Sequence, residues 1–242
     1  ILDAGSGTGY GSQQLLKRYP GKQLIAMDIA QAMLLQARPN LNWWQRLLPI
    51  MRHHHYVCAD IEQIPLKQES IGLIWSNLAL QWCNDLEHTF AEMHRVLRID
   101  GLLMFSTFGP DTLKELRQSF AQADSSSHVN HFVDMHDIGD LLLHNGFAEP
   151  VMDMEYITMT YSDVLNIMRD LKSIGAHNVT QGRQSGLMGK VAWRKALSAY
   201  DKLRIDGKYP VTFEVIYGHA WKPPSRKSVL TPETRRQLGL ID

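Results

Sequence analysis

ILDAGSGTGYGS, residues 1–12, places four glycines between an apolar pair and the start of a helical pattern. Ile1 and Leu2 read as the end of a buried strand, and Asp3 to Gly11 as a turn leading into a helix. Such a turn lets a ribose or a polyanion lie against bare backbone amides, because glycine carries no Cβ and tolerates positive φ. Gly5, Gly7 and Gly9 give GxGxG, whereas the dinucleotide spacing GxGxxG requires a glycine at Tyr10 or Ser12. Asp3 precedes the run. Asp28 closes the next apolar stretch, LIAMD, where a carboxylate accepts hydrogen bonds from both hydroxyls of a ribose.

Outward from that turn, strands and helices alternate as in a parallel sheet covered on both faces. The expected order is a helix over 12–19 stopped by Pro20 and Gly21, then strands over 23–28, 56–60 and 71–77, with a helix over 31–38 after the first of them. A helix over 86–97 carries Phe90, Met93, Val96 and Leu97 on one stripe, and a strand over 101–108 opens at the Asp100–Gly101 turn. Helices follow over 112–121 and 135–144, then strands over 151–160 and 211–218 with helices over 161–174 and 187–203 between them. The pattern predicts an α/β fold, a seven-stranded, mostly parallel Rossmann-like sheet with a helical cap inserted between the last strands. Residues 1–222 read as one domain, with cap segments at about 109–133 and 161–210, and 223–242 as a mobile tail.

The 242 residues carry 25 Lys and Arg against 25 Asp and Glu, so no basic excess argues for nucleic acid and no acidic excess for disorder. Cys58 and Cys83 are the only cysteines and sit among apolar or aromatic residues, which argues against a disulfide framework and makes the cytoplasm the expected compartment. No apolar run approaches the roughly 20 residues that cross a bilayer, so no membrane partner is expected. His53, His54 and His55 invite a metal reading. Consecutive loop residues point different ways, however, so a solvated loop and no metal are expected there, with Trp43 and Trp44 on an extra surface helix.

ADIEQIPL, residues 59–66, puts an acid just after the third strand. SNLALQWCNDL, residues 76–86, follows the fourth and therefore falls at the carboxyl edge of the sheet, where open α/β sheets take ligands. There is no Ser/His/Asp order, HExxH, CxxC or phosphate-loop lysine. With the D-x-G-x-G-x-G turn, these stretches resemble class I S-adenosylmethionine (SAM) methyltransferases. The resemblance implies that Asp3, Gly5, Ser6, Gly7 and Gly9 wrap the methionine part and that Asp28, with Ile29, holds the ribose. It further implies that Asp60 and the backbone of Ile61 meet the adenine, and that Asn77 and Leu78 flank the sulfonium. Trp82 reads equally as pocket wall or core. Since N-terminal helices normally close over the cofactor in such enzymes, a chain that opens inside a strand at Ile1 is expected to be truncated at its N-terminus.

The resemblance narrows in the second half. STFGPDTLKELR (106–117), HVNHFVDMHDIGDLL (128–142), GFAEPVMD (146–153), DLKSIGAHNV (170–179) and TFEVIYGHAW (212–221) are similar to the malonyl-acyl-carrier-protein O-methyltransferases of biotin synthesis. That family implies esterification of the free carboxylate of a malonyl thioester, on acyl-carrier protein or coenzyme A. The carboxylate is ionised at neutral pH and is its own nucleophile, so no catalytic residue is assigned. Alignment, water exclusion and a cation to orient one carboxylate oxygen are what the protein must supply. Lys172, Arg183 and Arg117 are the candidate cations. Because a carrier protein is acidic, Lys190, Arg194, Lys195, Lys202 and Arg204 are candidates for a basic rim, a solvated helix face being the plainer account. Relatives with similar NLALxW and DTLxELR segments act instead as assembly factors of respiratory complex I; SIGAHN and GHAW favour the biotin enzyme.

Overall fold

The computed structural model describes residues 1–38, 54–123, 132–173 and 189–224. The chain runs β1 (Leu2–Ala4), α1 (Tyr10–Arg18), β2 (Leu24–Asp28), α2 (Gln31–Ala37), β3 (His54–Cys58) and β4 (Ile71–Asn77), then a 3-10 turn at Leu80–Trp82. It continues through α3 (Leu86–Val96), β5 (Leu97–Phe108), α4 (Lys114–Ala121), α5 (Met135–His144), β6 (Ala148–Tyr161), α6 (Val164–Ser173), α7 (Lys190–Asp201) and β7 (Tyr209–Trp221). The sheet order is β3-β2-β1-β4-β5-β7-β6, with every pair from β3 to β5 parallel and β7 antiparallel to both of its neighbours. The carboxyl ends of β1 to β5 therefore share one edge, which is where the glycine turn, Asp28, Asp60 and Asn77 emerge.

Helix α3 illustrates how sequence builds the scaffold. Asp85 caps it by accepting from His88 N–H at 2.9 Å, and the expected stripe of Phe90, Met93 and Val96 is fully buried, followed by Leu97. Its last carbonyls would be orphaned where the chain turns directly into β5. The buried Lys222 answers them, with Nζ donating to His94 O at 2.9 Å and Leu97 O at 2.8 Å. A cation at a helix C-terminus also meets the negative end of its dipole.

Several boundaries differ from expectation. Strand β3 begins at His54, so His54 and His55 are ladder residues paired with Leu24 and Ile25 and do not form a loop. Backbone pairing to β2 is indifferent to the side chain, and each ring finds a partner: His54 lies 4.3 Å from the Tyr56 ring, and His55 Nε2 meets Gln23 Oε1 at 3.1 Å. His53, Trp43 and Trp44 lie outside the described residues. Strand β5 starts at Leu97, the Asp100–Gly101 turn being absorbed as an irregularity with Asp100 at φ 56°.

β6 and β7 are longer than expected. Pairing of β7 with β5 ends at Phe108↔Val215, whereas pairing with β6 continues to Tyr161↔Tyr209. The overhanging ribbon carries a second hydrophobic cluster. Leu116 and Phe120 of α4, Ile167 and Leu171 of α6, and Tyr200 of α7 close over Val211, separate from the sheet cluster of Leu2, Ile74, Phe90 and Ile216. Among the described residues no helix is long and apolar enough to cross a membrane.

Candidate active site

The glycine turn is tied to β2. Gly5 N–H and Ser6 N–H both donate to Met27 O, at 2.8 and 2.9 Å, and Gly7 N–H donates to Asp28 Oδ2 at 2.8 Å. Asp28 Oδ1 accepts from Ala30 N–H at 2.8 Å. This corrects the expectation of bare amides: the donors at these three positions are spent inside the fold. Asp28 is a strut between turn and strand whose oxygens each retain acceptor capacity. Gly5 and Gly7 stand at φ 79° and 54°. A Cβ on Gly5 would lie 2.2 Å from Ala79 Cβ, while one on Gly7 would meet nothing within 4 Å.

Two cavities flank this turn. The first, about 350 Å³, lies between the turn, the ends of β2 and β3 and the segment after β4. Asp28, Asp60 and Glu62 face it, no lysine or arginine among the described residues does, and Ile29, Met33 and Trp82 supply apolar wall. The second, about 650 Å³, is lined by Asp3, Ser6, Gln14, Trp75, Asn77 and Met104. Gly5, Gly7 and Leu78 border both.

Asp3 is buried, and Ser12 Oγ donates to its Oδ2 at 2.5 Å. Desolvation pushes its pKa up to about 6, against the pull of the Ser12 hydrogen bond. Ser6 Oγ and Trp75 Nε1 are buried with no hydrogen-bond partner among the described residues. Trp75 is the cross-strand neighbour of Asp3. The folded state holds the Asp3 proton to higher pH than the unfolded chain, so its contribution to stability is present below about pH 4 and is lost as pH rises to about 6. Above that, the buried carboxylate costs about 3 kcal/mol. Asp3→Asn keeps an acceptor for Ser12 and removes the cost. Thermal melts should find the variant more stable than wild type at pH 7.5 and nearly equal to it at pH 4, whereas a constant difference across pH would dismiss Asp3 as the source.

The other expected residues are distributed as follows. Asp60 accepts from Glu62 N–H at 2.9 Å, and Ile61 lies beside it on the first cavity. Asn77 Oδ1 accepts from Ser106 Oγ at 2.7 Å. Gly9 borders neither cavity; it caps α1 in the left-handed conformation. Trp82 is pocket wall. Arg117 donates to Pro110 O and Thr112 O, both at 2.8 Å, bracing the loop after β5. Lys172 is exposed on the last turn of α6, neither it nor Arg117 borders either cavity, and Arg183 lies outside the described residues.

Sequence reading passed over Met33, Glu62, Cys83 and Trp75. Glu62 is signalled by its place two residues after Asp60, and the others by nothing local. Burial pushes the Cys83 thiol up to about 11, so it is a neutral wall.

Residues 2–105 match the methyltransferase domain family. A malonyl-[acyl-carrier protein] O-methyltransferase of Nitrosospira multiformis is 61% identical over 249 residues, covering 99% of this chain and 81% of that protein. The Gallionella capsiferriformans protein of the same name is 60% identical over 226 residues, covering 93% and 78%. The chain belongs to that methyltransferase family.

Its fold is also that of the YcgJ protein of Bacillus subtilis, with a TM-score of 0.63 at 13% identity over 93% of this chain and 92% of that one. The methyl donor of the class is SAM. The residues present fit it. Carboxylates with no lysine or arginine among the described lining residues, together with apolar walls, suit a nucleoside with a cationic tail, and the spent amides of Gly5, Ser6 and Gly7 do not suit a phosphate.

Proposed function

We propose that this methyltransferase esterifies the free carboxylate of a malonyl thioester on acyl-carrier protein, the reaction for which its relatives are named. The observation that carries this reading is the acid-faced first cavity meeting a second one at Gly5, Gly7 and Leu78. SAM supplies a methyl group already activated by sulfonium charge. Asp28 holds the ribose hydroxyls, Asp60 and the Ile61 backbone hold the adenine edge, and Asn77 and Leu78 bound the sulfonium. Asp3, Gly5, Ser6 and Gly7 follow the methionine part.

Among the described residues no histidine borders either cavity, and Cys83 is neutral. An ionised malonyl carboxylate needs no base, so alignment and exclusion of water are the tasks left to the protein. Lys172 and Arg183 are the candidate cations for that carboxylate, with Arg117 setting the loop above it. Lys190, Arg194 and Lys195 on α7 and Lys202 at its C-terminal cap are exposed and form no ion pair among the described residues. Arg204 is engaged with Asp201 at 3.4 Å. These four form the rim for an acidic carrier.

Incubation with SAM and malonylated carrier protein, with malonyl-coenzyme A in parallel, should give a methyl ester detectable by mass spectrometry. The double substitution Arg194→Glu, Lys195→Glu should raise KM for the carrier roughly tenfold and lower the ratio of carrier to coenzyme A turnover, since rim charges act on encounter. Both thioesters remaining unmodified while SAM binds would overturn the assignment.

A further inference from the structure

Leu78, the first residue after β4, stands at φ 49°, a region that leucine enters only against steric opposition between Cβ and the backbone. The surrounding polar groups hold it there. Its N–H donates to Ser106 O at 3.0 Å and lies 3.1 Å from Ser106 Oγ, and that hydroxyl in turn donates to Asn77 Oδ1 at 2.7 Å. Its carbonyl accepts from Gln81 Nε2 at 2.6 Å, and Gln81 Oε1 accepts from Thr107 Oγ1 at 3.4 Å. Ser106 and Thr107 are buried in β5, so this chain of contacts anchors the segment after β4 to the neighbouring strand. The 3-10 turn at Leu80–Trp82 folds the Gln81 side chain back over its own turn to reach Leu78.

We propose that Gln81 is a positioning residue for methyl transfer, holding Leu78 in its left-handed conformation at the wall where the two cavities meet. Gln81 borders neither cavity and so is not catalytic, whereas Leu78 borders both. Ala79, next in the chain, abuts Gly5, so the peptide between Leu78 and Ala79 is registered against the glycine turn. Without the Gln81 donor, the Leu78 carbonyl is released and φ relaxes toward negative values, which swings the wall between donor and acceptor. Asp28 and Asp60 are held by Gly7, Ala30 and Glu62 N–H, none of which contacts Gln81, and are undisturbed. The expected signature is a loss of turnover with donor affinity retained. The inference rests on the function proposed above and deepens it.

Gln81→Leu, which keeps bulk and removes the donor, should lower kcat roughly tenfold, about 1.4 kcal/mol, in the malonyl-carrier assay. The SAM Kd measured by calorimetry should stay within about twofold of wild type. In that background Leu78→Asn, a residue that enters the left-handed region more readily, should regain about threefold of the lost kcat. A kcat within about twofold of wild type in Gln81→Leu, or a loss that Leu78→Asn does not relieve, overturns the assignment. A wild-type enzyme that binds SAM and leaves the malonyl carrier unmodified defeats the proposed function instead. In that event the crystal structure of Gln81→Leu decides: a negative φ at Leu78 supports the clamp, and a retained positive φ overturns it.

Discussion

Gly5→Ala is expected to melt roughly 10 °C below wild type, or to fail to accumulate as folded protein. Two costs add at this position. The backbone sits at φ 79°, where an L side chain is strained by about 1–2 kcal/mol. The new methyl would lie 2.2 Å from Ala79 Cβ, and neither atom has a rotamer by which to escape, so the β1–α1 turn and the segment after β4 must separate. Overpacking of this kind costs about 1–3 kcal/mol. Gly7→Ala is the control. Its Cβ meets nothing within 4 Å, so only the backbone strain is felt, but the methyl projects where the two cavities join. It should lose SAM affinity while melting within a few degrees of wild type. Adding Ala79→Gly to Gly5→Ala removes the obstruction and should recover more than half of the lost stability; independent, additive effects would refute the contact as the cause.

Asp28→Ala is expected to weaken SAM binding by about 2–4 kcal/mol, since it removes the acceptor proposed for the ribose hydroxyls and also strands two backbone donors. Gly7 N–H and Ala30 N–H, each 2.8 Å from a carboxylate oxygen, lose their partner, and the turn comes loose from β2. Asp28→Asn keeps one acceptor and should fall between wild type and Asp28→Ala. Calorimetric titration with SAM measures both; an unchanged Kd in the alanine variant would remove Asp28 from the site.

β1, β2, β4 and β5 are legible in the sequence because each is an apolar run ending at a Gly, Asp or Asn, and interior strands covered on both faces leave that trace. Phe90, Met93, Val96 and Leu97 declare the buried face of α3 for the same kind of reason, the helical period. The long reaches of β6 and β7 are not legible. β6 is an edge strand whose burial alternates only over 148–155; beyond that Tyr156, Ile157 and Met159 are exposed and no alternation marks the overhanging part. The strand character of His54 and His55 is likewise set by the ladder to β2 and not by their side chains.

At the site, the acids and glycines announce themselves by type and spacing. What their hydrogen bonds do does not. That Asp28 braces Gly7, 21 residues earlier, and that Ser106 and Thr107 anchor the segment after β4 across nearly 30 positions, depends on sheet order alone. A positive φ at a leucine leaves no mark in the sequence at all.

Strand β7 lies under both hydrophobic clusters, with Val211 among the cap helices and Ile216 and Ala220 in the sheet, and it ends beside Lys222 beneath α3. Cap and sheet thus share a two-stranded rail, since β6 runs beside β7 with Met152 and Met154 against the sheet cluster and Tyr161 against the cap cluster. Helices proposed to meet an acceptor can diverge along its overhanging part without a break in the sheet beneath, and a load placed on the cap is passed down this pair of strands to the foundation of the molecule.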